Sequence, residues 1–316
     1  MFCSKKPDPN PRGVRLGDLA AMLGATTIKP TLKDNALIAE HEQYTVRVDV
    51  LPPTVKDTDV GPISAVVKLT IDLPKPVLAL FKDDPAAAAA MCNGFAALGA
   101  VYQEGDVLRI GSRLTIYEAE DAWRSLHLPL LLFTIILGAE PILGGLRRSF
   151  GQEGSKREET EWTEEDFAQV ERALSRMCVC TTGDLGLTAE FALGEDAVSA
   201  AAGHRKTALW RLLGEQPHPE VGGGLFCLLQ LPHQVADEKR LHNICNELNR
   251  MEMAAHDLPP HFGAWCPGRS INSPAYVSFL PNALHRVSGI ALNASIWAAH
   301  RARWANAMMA SFGLRS

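Results

Sequence analysis

The order of elements in the first half of the chain recurs in the second, and this repetition constrains the fold more than any other feature. MCNGFAALGA (91–100) has a counterpart in ICNELNRMEM (244–253). Each places an apolar residue before Cys-Asn and apolar residues at helical spacing after it, and the two Cys-Asn pairs lie 153 residues apart in a chain of 316. Around the first pair, RLGDLAAMLGA (15–25) has Leu16, Leu19, Ala20 and Leu23 on one helical face. Within NALIAEHEQYTVRVDVL (35–51), YTVRVDV alternates and is β-branched and predicts a strand, and ISAVVKLTIDL (63–73) predicts another, stopped by Pro74. A helix is predicted over 82–100, with Asp84 as N-cap and Pro85 in the first turn. DVLRIG (106–111) and RLTIYEA (113–119) predict two further strands turning at Gly111-Ser112, and 120–138 predicts a long helix.

The second half repeats this succession. Thr163 and Asp166 have capping-box spacing at the start of a helix over 163–177. Strands are predicted over 186–193, 207–215 and 223–231, a helix over 237–254, strands over 261–266 and 275–280, and a long helix over 282–312. Each half therefore reads α-β-β-β-α-β-β-α. VVKLTIDLP and GLFCLLQLP share a pattern and a terminal proline, and RLTIYEAEDAW corresponds to AYVSFLPNALH. Duplication of one module is the economical explanation. The predicted organisation is a flexible tail (1–14), a first unit (15–149), a charged linker (150–162) and a second unit (163–316).

This succession resembles the type III secretion chaperone-like fold. The second half is similar to YbjN-type proteins of that group through Asn246-Glu247-Leu248-Asn249-Arg250, the preceding LLQLP, and the FGAW and AYVSFLP segments. The first half departs from the pattern, with CNGFAALG and a single asparagine in its middle helix. The resemblance implies an α+β protein of two tandem units, each a twisted antiparallel sheet with helices packed on it, joined as a single-chain pseudo-dimer. It also implies a non-enzymatic role in holding a partner segment. Fusing two units raises their effective concentration to roughly millimolar.

A net charge of −5 argues against a dedicated nucleic-acid binder. Seven scattered cysteines and no evident signal peptide point to a reducing, cytoplasmic setting. The apolar run 128–138 contains Pro129 and falls short of the roughly 20 residues of a spanning helix, so no membrane span is predicted. No cofactor is predicted.

Asn93, Asn246 and Asn249 are candidate binding residues, the last two sharing a helical face. A buried asparagine must satisfy its amide, either on neighbouring backbone at a strand end or on a ligand. Trp297 and Trp304 lie seven apart on one helical face, as core or as the wall of a binding groove. His300-Arg301-Ala302-Arg303 near the end of that helix suits the helix dipole. His256, Asp257, His261 and Cys266 form the cluster least implausible for an enzyme, but H-x4-H-x4-C lacks the close pairs of a zinc site, and no metal is predicted. Gly222–Gly224 feed a strand, so GEQPHPEVGGGL (214–225) predicts a hairpin loop and no phosphate cradle. The predicted function is chaperone- or adaptor-like protein binding, in an apolar groove or at a sheet edge, as a monomeric pseudo-dimer or homo-oligomer. An enzyme or a small-molecule sensor is the alternative.

Overall fold

The computed structural model describes positions 17, 20 and 21, residues 29–118 and residues 159–314, apart from gaps at 34–35, 42–43, 55–56, 59–60, 74–82, 95, 195–205, 220 and 269–271. The predicted tail, the helix over 120–138, the apolar run within it and residues 150–158 lie outside the described residues. So does most of the helix predicted over 15–25, of which Gly17, Ala20 and Ala21 are helical.

The first unit contains β1 (Lys29–Lys33), β2 (Ala36–His41), β3 (Tyr44–Leu51), the short β4 (Asp57–Thr58), β5 (Gly61–Asp72), α1 (Pro85–Asn93), β6 (Ala100–Glu104) and β7 (Val107–Tyr117). The second contains α2 (Glu164–Leu174), β8 (Val179–Gly183), β9 (Gly186–Ala192), β10 (Thr207–Leu213), β11 (Gly224–Gln230), α3 (Glu238–Ala254), β12 (Ala264–Pro267), β13 (Pro274–Pro281) and α4 (Ile290–Ser311). Every ladder is antiparallel, with order β1-β2-β3-β5-β7-β6 in one sheet and β8-β9-β10-β11-β13-β12 in the other; β4 pairs only with the start of β5. The two sheets thus have one topology, and the protein is an α+β pseudo-dimer of tandem units.

Local chemistry explains the elements. Alternation in β10 buries Ala208, Trp210 and Leu212 and turns Thr207, Leu209 and Arg211 to the other face. Asp84 caps α1 by accepting from the Ala87 N–H (3.0 Å), with Pro85 in the first turn. Thr163 and Asp166 form the reciprocal capping box of α2. The end of the stretch predicted as linker is held against the second unit: Trp162 is buried, and the Asn282 amide binds the main chain of Glu159 and Glu161.

Three readings of the sequence need correction. Each unit has a further strand at its start, β1 and β8, so four major strands precede the middle helix. Both are short edge strands whose residues lack a clean apolar alternation. The turn predicted at Gly111-Ser112 lies at Gly105-Asp106, where Gly105 takes φ +62°, and β7 runs unbroken through Gly111. Glycine stands at 111 because a Cβ there would come within 2.7 Å of Met253 and Tyr102. Finally, α1 ends at Asn93, and Gly99 (φ +116°) leads the chain into β6 where a helix to residue 100 was predicted.

The ladders fix residue equivalences between the units, since register is set residue by residue. Following the pairings outward from β6 and β12 aligns Val101 with Trp265, Ile110 with Tyr276, Arg113 with Phe279, and Pro30 with Cys180.

Candidate functional site

The three candidate asparagines all lie where the units meet. The Asn93 amide donates to the Val101 carbonyl (2.9 Å), and its oxygen accepts from the Val101 N–H (2.7 Å). Asn249 makes the same pair of bonds to Trp265 (2.9 and 2.8 Å). Asn93 and Asn249 are therefore the true equivalents, and the matching Cys-Asn pairs of the sequence are offset by one helical turn. Asn246 accepts from the Gln103 N–H of the other unit (3.0 Å). β6 and β12 end their sheets, and these amides replace the missing neighbouring strand. Both ends of the Asn93 and Asn249 amides, and the oxygen of Asn246, bond main chain, which is the strand-end role weighed in the sequence.

The joint is two-fold related. The Arg113 N–H donates to the His261 carbonyl (2.9 Å), and the equivalent Phe279 N–H donates to the Ala97 carbonyl (2.8 Å). Ala96, Ala100 and Ala264 form a small apolar cluster of their own there. The sequence signal was present but unread: Leu98-Gly99-Ala100-Val101 and Phe262-Gly263-Ala264-Trp265 are one motif, 164 residues apart. Its glycine and alanine let two backbones approach.

On one side of this joint sits a buried ionic cluster. Arg113, Glu252, His261 and Arg301 are each at most 3% exposed. The Glu252 carboxylate accepts from Arg301 Nε (2.7 Å) and from Trp265 Nε1 (2.7 Å). His261 Nδ1 lies 3.0 Å from Glu252 Oε2, within ion-pair range though off the line of a ring N–H bond. Arg113 donates to the carbonyls of Glu252 (2.7 Å), Leu258 (3.0 Å) and Pro259 (2.7 Å) and to the Thr115 hydroxyl (2.6 Å). Arg301 donates to the Pro260 carbonyl (2.6 Å) and stacks 4.1 Å over the Tyr276 ring. This corrects the helix-dipole reading of Arg301, which points inward.

Burial alone would raise the Glu252 carboxyl, but Arg301 foremost, then His261 and Arg113, hold it down to about 2. Burial lowers the Arg113 guanidinium to about 10, against the pull of Glu252. Burial also lowers His261, likewise against Glu252. Glu252 and His261 both bind protons more readily in the unfolded chain, so acid destabilises the fold through each. Stability is expected to decline from pH 6.5, the ordinary histidine value, and to decline further as the pH falls from 4.5 towards 2. Denaturant titrations across this range check it: His261→Gln should flatten the upper limb and make the lower one shallower, because His261 helps to hold Glu252 down. An unchanged upper limb would show that His261 is not the group responsible.

The enzyme candidates do not share a surface. Asp257 is exposed, His256 half-buried, and His261 and Cys266 buried. Trp297 is also buried, edge-on to Phe262 at 5.4 Å, so it lines no groove; Trp304 packs partly buried against the same core. A surface cavity of about 110 Å3 lies elsewhere, lined by Trp162, Asp166, His285 and the first turn of α4.

The two outer edges differ. β1 reads Lys29-Pro30-Thr31-Leu32-Lys33, and β8 at the same register reads Val179-Cys180-Thr181-Thr182-Gly183. The exposed Lys33 and an edge proline blunt β1 against pairing, although Leu32 is exposed. β8 has neither device. Val179 is 68% exposed and the adjacent Met177 64%. Proline sits in a sheet only where its nitrogen faces away from the ladder, so the equivalent Cys180 N–H faces the open edge. No family model, curated protein or solved structure matches the chain. No helix among the described residues is long and apolar enough to cross a membrane.

Proposed function

We propose that the chain is a non-enzymatic, adaptor- or chaperone-like binding protein that takes an extended partner segment as an added strand along β8. The observation that carries this reading is the contrast between the equivalent edges. One keeps lysine and proline at the positions where the other has an exposed valine and a cysteine. Strand addition draws affinity from main-chain hydrogen bonds and specificity from alternate side chains. The matching segment would be uncharged and β-prone, with apolar residues two apart to cover Val179 and Met177.

The test transfers the first unit's residues to the second edge. The double variant Val179→Lys/Cys180→Pro is expected to fold normally, because the equivalent positions already hold those residues. Against an array of alternating apolar–polar peptides, binding by the parent protein should protect the amides of Cys180 and Thr182, which face the outer edge, from hydrogen exchange. The variant should bind at least about tenfold more weakly, a difference of about 1.4 kcal/mol. Unchanged binding, or protection elsewhere, would overturn the reading. Self-association of the parent that disappears in the variant would instead assign the edge to a second copy of this chain.

A further inference from the structure

We infer that the Arg113 cluster governs which units can pair, so that each unit accepts the other and rejects a second copy of itself. The joint is built as a symmetric dimer interface is built, with one patch meeting its equivalent. The Arg113–His261 and Phe279–Ala97 main-chain bonds are the two halves of that symmetry. Such a joint would by itself let like pair with like. The side chains on it are not symmetric.

The asymmetry originates in an insertion. Between the clamp asparagine and the glycine of the repeated motif, the first unit has only residues 94–98, whereas the second has residues 250–262. The longer segment supplies Glu252 and the carbonyls of Leu258, Pro259 and Pro260 that receive the two guanidiniums. The first unit supplies the matching donors, Arg113 and the Thr115 hydroxyl, which bonds the Leu258 carbonyl at 2.6 Å.

Two first units facing each other would bury both copies of Arg113 against the short segment, with no Glu252 and no carbonyl cage. A buried charge without a partner is strongly unfavourable. Two second units would place Phe279 and Pro281 where Arg113 and Thr115 stand. The carbonyls of Glu252, Leu258 and Pro259 would then lose their donors, and neither replacement side chain can supply one. Both like-with-like pairings are penalised, and only the mixed pair satisfies the site. Selectivity of this kind rests on penalties against the wrong partner as much as on contacts to the right one.

The full chain with a protease site placed within 150–158 tests this. It is cut after folding, and isotopically heavy and light preparations are mixed, dissociated in denaturant and reassembled. Native mass spectrometry then counts the pairs. Unselective pairing would leave about half of the assemblies as like-with-like pairs. The expected result is a mixed pair in almost every assembly, with heavy and light pieces exchanged. Arg113→Phe, which gives the first unit the residue of the second, is expected to raise first-with-first pairs at least about tenfold. A merely destabilising change would lower all assemblies together and leave their ratio unmoved. Like-with-like pairs in the unselective proportion, or a ratio unaffected by Arg113→Phe, would overturn the inference. Cut halves that never pair again would overturn it as well, since the joint would then carry no selectivity of its own.

Discussion

Replacing Glu252 with alanine is expected to destabilise the protein by about 3–5 kcal/mol, the range for breaking one side of a buried ion pair. Its carboxylate is the only acidic group that bonds Arg301 in the cluster, and it also accepts the indole N–H of Trp265. Without it, two guanidiniums remain buried with carbonyls, the Thr115 hydroxyl and the Tyr276 ring for compensation but no anion. Glu252→Gln should cost less, because an amide oxygen still accepts from Trp265. Glu247, whose bond to Arg250 lies on the exposed side of the same helix, provides the contrast. Its alanine variant should cost no more than about 0.5 kcal/mol. Urea unfolding of the three variants measures this directly. A Glu252→Ala loss below about 1 kcal/mol would mean that the cluster carries little of the fold's stability.

Gly263→Ala is expected to cost at least as much as a typical overpacked core site, about 3 kcal/mol or more. A Cβ at 263 would lie 2.3 Å from the Val277 carbonyl oxygen and 2.8 Å from atoms of Ser278 and Tyr276. The nearest of these atoms is backbone, on a strand held between β11 and β12, so no side-chain rotation relieves the clash. The equivalent Gly99→Ala meets the Gly111 carbonyl at 3.3 Å and the Ser112 hydroxyl at 3.0 Å, and also forces φ +116° on a residue with a side chain. Gly183→Ala, with nothing within 4 Å, should stay within about 0.5 kcal/mol of the parent. Thermal unfolding of the three variants gives the order. A tolerated Gly263→Ala would show that β12 and β13 can separate there at little cost.

The sequence disclosed the larger plan through patterns that survive without tertiary contacts. The α2 capping box, the Asp84-Pro85 start of α1 and the apolar alternation of β10 are local signals, and each led to the element found. β1 and β8 escaped because an edge strand is specified by its neighbour, and KPTLK and VCTTG show little alternation of their own. The Cys-Asn match pointed to the right helices in the wrong register, since Cys92 is equivalent to Leu248 and the helix needs only an apolar residue there. The more reliable marker was the Gly-Ala pair, which has a steric reason to recur. The ionic cluster was legible only as separate charges. Arg113 sits in a strand and Arg301 in a helix predicted to face water, and nothing local indicates that a loop 145 or more residues from Arg113 closes over it.

Under the proposed strand addition, the unequal outer edges also set how many partners one chain would hold. A symmetric dimer with two open edges is bivalent: it can bridge two strands or propagate a sheet from both ends. Here β1 is blunted, and β6 and β12 are occupied by amides of the middle helices, Asn93 and Asn249 from the same unit and Asn246 from the other. Among the described residues β8 is the one sheet edge neither blunted nor occupied, so the proposed strand addition has a single docking edge on each chain. Divergence of the two units has turned a plan with two equivalent outer edges into one with a single receptive edge, which under the proposed function means one docking site per chain.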